Sequence, residues 1–167
     1  KIKMIKRFLL ISITYLAIQI NAQDNKLNWY DDVSKAIPVS IQENKPLLLF
    51  FTGSDWCGWC IRLDKAVFQT DEFKKWAKDN VILLELDFPR RKKLDPTLEA
   101  TNNELQNIFQ VRGFPTVWLF SVTKTEEGKF SINANLSNPF QKMGYMGSAK
   151  DFISKAEYIL EKMNEVY

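Results

Sequence analysis

Three short apolar runs punctuate the chain: "LLLFF" (Leu47–Phe51), "VILLEL" (Val81–Leu86) and "TVWLF" (Thr116–Phe120). A strand with one wet face alternates apolar and polar residues, so these nearly unbroken runs predict strands covered on both faces. Between and after them, apolar residues recur at helical spacing. Thr70 precedes Asp71, Glu72 and a face of Phe73, Trp76 and Ala77. Thr101 and Glu104 carry a capping-box signature before Leu105, Ile108 and Phe109. Ser148 and Asp151 repeat it before a stripe of Phe152, Ala156, Ile159, Leu160 and Met163. Each signature predicts a helix. The stretch "LNWYDDVSKAIPVSIQENKP" is partly helical, with Asp31 and Asp32 suited to its start and Pro38 expected to break or kink it. Between Ser121 and Met146, Gly128, "NANLSNP" and Gly144 predict two antiparallel strands, near Phe130–Ile132 and Phe140–Tyr145, joined by an exposed loop. Strands alternating with helices, then a hairpin region and a closing helix, give an α/β fold with a central mixed sheet flanked by helices.

The first 22 residues follow a different pattern. Lys1, Lys3, Lys6 and Arg7 precede an apolar run from Phe8 to Ile18 and the small residue Ala22. This is the layout of a secretory signal peptide, expected to be cleaved after Ala22, with Met4 a candidate natural start. The run is short of the roughly 20 residues a spanning helix needs, so an uncleaved anchor is the rival reading. No cysteine sits at the junction, so a lipoprotein is not indicated. Residues 23–167 then form a single domain, exported to the periplasm or beyond and not held in the membrane. Its size, in a chain that is 46% apolar over its full length, is enough for one core.

Charge and composition narrow the chemistry. Losing four positive and no negative charges with the signal takes the net charge from +3 to −1. The basic balance therefore belongs to export and not to nucleic-acid binding, which needs its Lys and Arg in the folded part. The one basic cluster left there, "RRKK" (Arg90–Lys93), lies between prolines and without interleaved aromatics, and is expected to be a solvated loop. The chain has no histidine, which excludes imidazole bases and histidine metal ligands.

The two cysteines, Cys57 and Cys60, stand in "FFTGSDWCGWCIRLDKAVF". Two thiols supply only half of a tetrahedral zinc site, which would need a second chain or two carboxylates. A staple closing so short a loop removes little unfolded-chain entropy. A dithiol centre fits better. A strand leads through Thr52–Asp55 into a helical pattern, placing Cys57 at a helix N-terminus, where unpaired N–H groups and the helix dipole favour a thiolate. Cys60, one turn further in, is expected to be the more buried resolving thiol.

"WCGWC" after an apolar strand, followed by "VRGFPTVWLF" leading into the next, resembles the thioredoxin superfamily in sequence and order, and "ENKPLLLFFTGSDWCGWCIRLDKAVF" is similar to exported bacterial thioredoxin-like proteins. The resemblance runs from about Lys26 to the C-terminus. It implies a thioredoxin-like fold, a cis Pro115 beside the disulfide, and catalysis by Cys57 and Cys60 on the thiols or disulfides of protein substrates, with no dissociable cofactor and no metal. Phe114 and Pro115 are expected to shape the substrate groove. Trp59 is expected to form a half-exposed apolar platform beside it, and Trp56 stands evenly between platform and core; Asp55 is read as solvated or capping.

The chain also departs from the family pattern. Thioredoxins carry a buried acid on the strand before the active site, whereas Phe50 or Phe51 stands there here; Glu85 and Asp87 are possible substitutes. Gly58-Trp59 offers no charge to stabilise a thiolate, so a reducing or isomerising enzyme is expected, near about −200 to −270 mV and dependent on a membrane-linked electron donor. The rival is a low-turnover binding or chaperone-like module on the same fold.

Overall fold

The computed structural model describes residues 26–136 and 140–166; the signal reading for residues 1–22 falls outside them. In chain order the elements are β1 (Trp29–Tyr30), α1 (Val33–Glu43), β2 (Leu47–Thr52), α2 (Gly58–Leu63), α3 (Asp71–Asn80), β3 (Ile82–Asp87), α4 (Pro96–Ile108), β4 (Thr116–Lys124), β5 (Phe130–Asn133), β6 (Lys142–Met143) and α5 (Ala149–Val166). The helix of α2 continues through a π-helical turn, Asp64–Phe68.

The sheet runs in the order β1-β3-β2-β4-β5, with β6 also on β4. β2 pairs parallel with β3 and antiparallel with β4, so the sheet is mixed. Side chains alternate across it with period two, and each face acquires its own core. Leu48, Phe50, Leu83, Val117 and Leu119 face α2, α3 and α5 through Leu63, Phe68, Phe73, Phe152 and Ile159, and this cluster holds both cysteines. Leu47, Leu49, Phe51, Leu84 and Trp118 face α1 and α4 through Ala36, Leu105 and Phe109. Burial on both faces is why the three strands read as continuous apolar runs; each fully buried Leu or Phe contributes about 1.5–3 kcal/mol.

Two predicted helix starts hold. Thr70 caps α3, accepting from the Phe73 N–H at 3.2 Å, and Ser148 with Asp151 forms the capping pair of α5 at 2.8 Å. Two other local expectations are corrected. Pro38 lies inside α1 without ending it. The bond it forfeits is to the Ser34 carbonyl; both residues are exposed, and water can satisfy that oxygen. Thr101 does not start a helix: α4 begins at Asp95, whose carboxylate accepts from the Thr97 and Leu98 N–H groups, followed by Pro96. Asp-Pro is the stronger start because proline at the first helical position forgoes only an N–H with no intrahelical partner. Thr101 instead donates its hydroxyl to the Thr97 carbonyl, within the helix.

The late strands are also corrected. β5 and β6 do not pair with each other; both pair antiparallel with β4, β5 at Ser121–Lys124 and β6 at Val117–Trp118. The connection between them is held by Gln141, fully buried, whose amide donates to the Asn133 carbonyl and accepts from the Asn135 N–H. β1, two residues long and pairing parallel with β3, is too short to show periodicity and has no counterpart among the predicted strands.

Candidate active site

β2 ends at Thr52, and the chain turns through Gly53, whose carbonyl accepts from the Trp56 and Cys57 N–H groups at 3.2 and 2.8 Å. The turn delivers Cys57 as the N-cap of α2, with the Cys60 N–H donating to Cys57 Sγ at 3.2 Å. Cys57 and Cys60 form a disulfide, their Cα atoms 5.3 Å apart. Cys57 is 6% exposed and Cys60 1%, so the outer sulfur is Cys57. A thiolate formed there would lie at the helix end whose free N–H groups stabilise an anion.

Around this pair the two tryptophans behave differently. Trp59 is 53% exposed, meets Tyr145 edge-on at 4.8 Å, and carries the Arg62 guanidinium 4.7 Å from its ring centre. Trp56 is half-buried and fastened on several sides: its Nε1 donates to the Phe88 carbonyl at 2.8 Å, its ring meets Phe114 at 5.9 Å, and the Arg90 guanidinium lies 3.7 Å from its centre. Phe88 stacks on Phe114 at 5.1 Å. The Phe114–Pro115 bond is cis, as the resemblance implies, and the next residue, Thr116, donates its hydroxyl to the Gly113 carbonyl at 2.8 Å. The structure thus groups Trp56 with Phe114, the residue before the cis proline, and pairs Trp59 separately with Tyr145.

Gly53 is what lets Trp56 lie down. A Cβ on Gly53 would stand 2.5 Å from Trp56 Cε2 and Nε1, far inside contact distance. Gly53→Ala is therefore expected to expel the indole, breaking its bond to Phe88 and costing about 1–3 kcal/mol. The check is denaturant unfolding alongside the tryptophan emission spectrum; an unshifted spectrum and midpoint would show that the ring does not need the space.

Two carboxylates, Asp55 and Asp87, tie together the loops beside the motif, and a third, Glu85, lies on β3. Asp55 does not cap α2, whose N-cap is Cys57, and is partly exposed: it accepts from the Arg90 N–H at 3.0 Å and the Arg91 N–H at 2.7 Å, and the Arg90 bond foremost holds its carboxyl below the usual range. The "RRKK" run is exposed as expected, yet it is tied to the site through Asp55 and through Arg90 on Trp56. Asp87, buried, accepts from the Ser54 N–H and hydroxyl at 2.8 and 2.7 Å and from Lys92 Nζ at 2.7 Å, joining the loop after β2 to the loop after β3. That bond pushes the Lys92 ammonium above its usual pKa.

Glu85 is partly buried and stands opposite Phe50 in the β2–β3 register. Phe50 belongs to the cysteine-side core and Phe51 to the opposite one, so both positions aligned with the family's buried acid are apolar. Burial, and then the Asp87 charge, push the Glu85 carboxyl above the glutamate range. A raised pKa means that the folded state holds the proton longer than the unfolded chain. The protonated form therefore supports folding below the ordinary glutamate pKa, and this support is lost as pH rises through that value toward the folded one. Glu85→Gln, which cannot ionise, is expected to gain stability relative to the parent on raising the pH through that window. Unfolding midpoints from acid to neutral pH check it; parallel curves would refute it.

Sequence reasoning missed Phe88, Tyr145 and Gly53 as parts of this site. Phe88 and Tyr145 lie in loops without periodicity, and the role of Gly53 depends on where a side chain three residues away settles. A concavity of about 740 Å³ lies elsewhere, lined by Leu27, Tyr30, Asp71, Lys74 and Lys78 among others, and includes neither cysteine.

Residues 33–129 match the family model described as a thioredoxin-like domain. The chain is 39% identical over 89 residues, 53% of each chain, to "Disulfide bond reductase DsbH" of Chlamydia pneumoniae. It is 26% identical over 116 residues, 70% of this chain and 33% of the relative, to "Thioredoxin-related protein DsbJ" of the same organism. The matches thus span about half or less of the length of these curated relatives. Among solved structures, "DsbH Oxidoreductase" superposes with a TM-score of 0.67 and 32% identity, covering 81% of this chain and 85% of that one. A mixed sheet between two helical layers, a disulfide at the start of α2 and these matches agree: the chain belongs to the thioredoxin-like family.

Proposed function

We propose that this protein is an exported thiol-disulfide oxidoreductase that reduces or isomerises disulfides in protein substrates. The observation that carries the reading is the Cys57–Cys60 disulfide at the N-terminus of α2, flanked by the open face of Trp59 and the Trp56–Phe114 pair. Similarity to a protein named as a disulfide bond reductase supports the reducing direction.

In the reduced enzyme the Cys57 thiolate attacks one sulfur of a substrate disulfide. That S–S bond breaks, one substrate sulfur leaves as a thiolate and takes a proton, and a Cys57–substrate disulfide forms. The Cys60 thiolate, its proton lost to solvent or a neighbouring base, then attacks Cys57 Sγ. The second substrate thiol is released and the Cys57–Cys60 disulfide closes. Two electrons have passed to the substrate, and a membrane-linked dithiol donor returns them. No dissociable cofactor enters the cycle. Phe114 and Pro115, with Trp56 fixed beside them, present the edge along which an extended substrate chain lies, and Trp59 takes its apolar side chains. The signal-like residues 1–22 support export; among the described residues no helix is long and apolar enough to cross a membrane.

The apolar residues at both positions of the family's acid favour a second reading, a chaperone-like module that binds and seldom turns over. Reduced protein mixed with a disulfide-bonded protein substrate separates the two. Release of substrate thiols matched by closure of Cys57–Cys60 supports the enzyme, and binding without thiol release supports the module.

A further inference from the structure

The described residues contain four arginines, Arg62, Arg90, Arg91 and Arg112, two of which lie over the tryptophans of the motif, while the other two are near neighbours of Arg90 and of Phe114 in the chain. Arg62 follows Cys60 by two residues and lies over Trp59; Arg90 lies over Trp56 with Arg91 beside it; Arg112 is exposed, two residues before Phe114. Two lysines share the basic loop with Arg90 and Arg91: Lys92, which is bound to Asp87 at 2.7 Å, and Lys93; the other lysines are spread over the remaining surface.

Among the described residues, no carboxylate oxygen comes within 4.0 Å of any of the four guanidinium groups. The acids on these loops have other hydrogen-bond partners, although Asp55 also feels the Arg91 charge. Asp55 accepts from the backbone N–H groups of Arg90 and Arg91, Asp87 from Ser54 and Lys92, and Asp64 from the Gln69 amide. A guanidinium resting on an indole keeps its N–H donors in its own plane, free to meet a carboxylate with two parallel bonds. Two guanidinium groups lie over the motif's tryptophans, Arg62 at 4.7 Å from the Trp59 ring centre and Arg90 at 3.7 Å from that of Trp56.

We infer that this face selects protein substrates whose disulfide cysteine is flanked by acidic side chains, with Arg62, Arg90 and Arg112 as specificity-determining residues. The inference rests on the thiol-disulfide exchange reading above. The apolar rings take the substrate chain and the arginines take its carboxylates, so a basic flank on the substrate is repelled before the sulfurs meet. The chemical step is the one already written; the arginines change the rate of encounter and not the balance of electrons.

The test uses two peptides of one sequence, each with a single cysteine blocked as a disulfide with a neutral small thiol. Glutamates flank the cysteine in one and lysines in the other. Each rate with reduced protein is divided by the rate with dithiothreitol, which removes the effect of the flanks on the sulfur itself. The glutamate peptide is expected to react at least about tenfold faster at low salt, the lower end of what steering supplies. The preference should collapse near 1 M salt, where the Debye length is roughly 3 Å. It should also collapse in Arg62→Gln/Arg90→Gln/Arg112→Gln. Should that variant not fold, Arg112→Gln alone, which removes no ring contact found among the described residues, is expected to reduce the preference, and the salt series needs no variant. Equal normalised rates for the two peptides, or a preference indifferent to salt, would overturn the inference while leaving the exchange activity standing. No exchange with either peptide would instead overturn the activity on which it rests.

Discussion

Cys57→Ser reduces substrate disulfides no faster than buffer, whereas Cys60→Ser accumulates covalent mixed disulfides with its substrates: this is the expected outcome of the proposed cycle and the largest effect on activity. The asymmetry follows from position. Cys57 caps α2 and is 6% exposed, and Cys60 is 1% exposed, one turn further in. An incoming disulfide therefore meets Cys57 first. Without Cys57 nothing attacks; without Cys60 nothing resolves what Cys57 has formed. Non-reducing gels of each variant mixed with a disulfide-bonded protein, read beside thiol release, decide it. Trapping by Cys57→Ser, with none by Cys60→Ser, would reverse the roles. Turnover retained in both would remove the dithiol from the mechanism.

The largest effect on stability is expected from Phe68→Ala, at about 3–5 kcal/mol. Phe68 closes the π-helical turn that follows α2, is 3% exposed, and touches four other rings. Its ring centre lies 5.2 Å from Trp29, 5.0 Å from Phe50, 4.9 Å from Phe73 and 5.4 Å from Phe152. Those partners belong to the β1 edge, β2, α3 and α5, so one side chain joins the helix bearing the cysteines to much of the core around it. Truncation leaves a cavity that five elements would have to close together. Since a domain commonly has only 5–15 kcal/mol in all, the variant should unfold at markedly lower denaturant. Phe68→Leu, which refills most of the space, should recover a large part of the loss. A midpoint shift worth less than about 1 kcal/mol for the alanine would show that the cluster repacks around the gap.

Much of this architecture is legible in the linear chain because the responsible forces act locally or with fixed period. A strand buried on both faces must be apolar throughout, and the three central strands announced themselves in that way. Thr70 and Ser148 cap their helices because a side-chain oxygen next to unpaired N–H groups needs no distant partner. The dithiol motif is readable for the same reason: spacing and a preceding strand suffice to place Cys57 at a helix start. Where two local signals compete, the order of strength matters, and at α4 Asp95-Pro96 prevails over Thr101 and Glu104. The π-helical turn after α2 left no signature in the spacing of Cys60, Leu63 and Val67, which a regular helix fits equally well.

The linear chain specified the sheet's central strands, the capped helices and the position of the cysteine pair at a helix start. Which strand accepts β5 and β6 was settled by packing in three dimensions, since a two- or four-residue strand has too few side chains to specify its partner and pairs where an edge with matching hydrogen bonds is free. Packing also decided the fate of Trp56, which pattern alone left between core and surface. Phe88 from the loop after β3, Arg90 from the basic loop and Phe114 from before β4 converge on that indole across 32 and more positions of chain, into the space that nearby Gly53 leaves open. The same convergence gives Asp55 and Asp87 to the loops on either side of the site. Contacts between groups so far apart arise only when packing of the two cores brings the loops at the ends of β2, β3 and β4 to one edge, and no local propensity encodes that meeting.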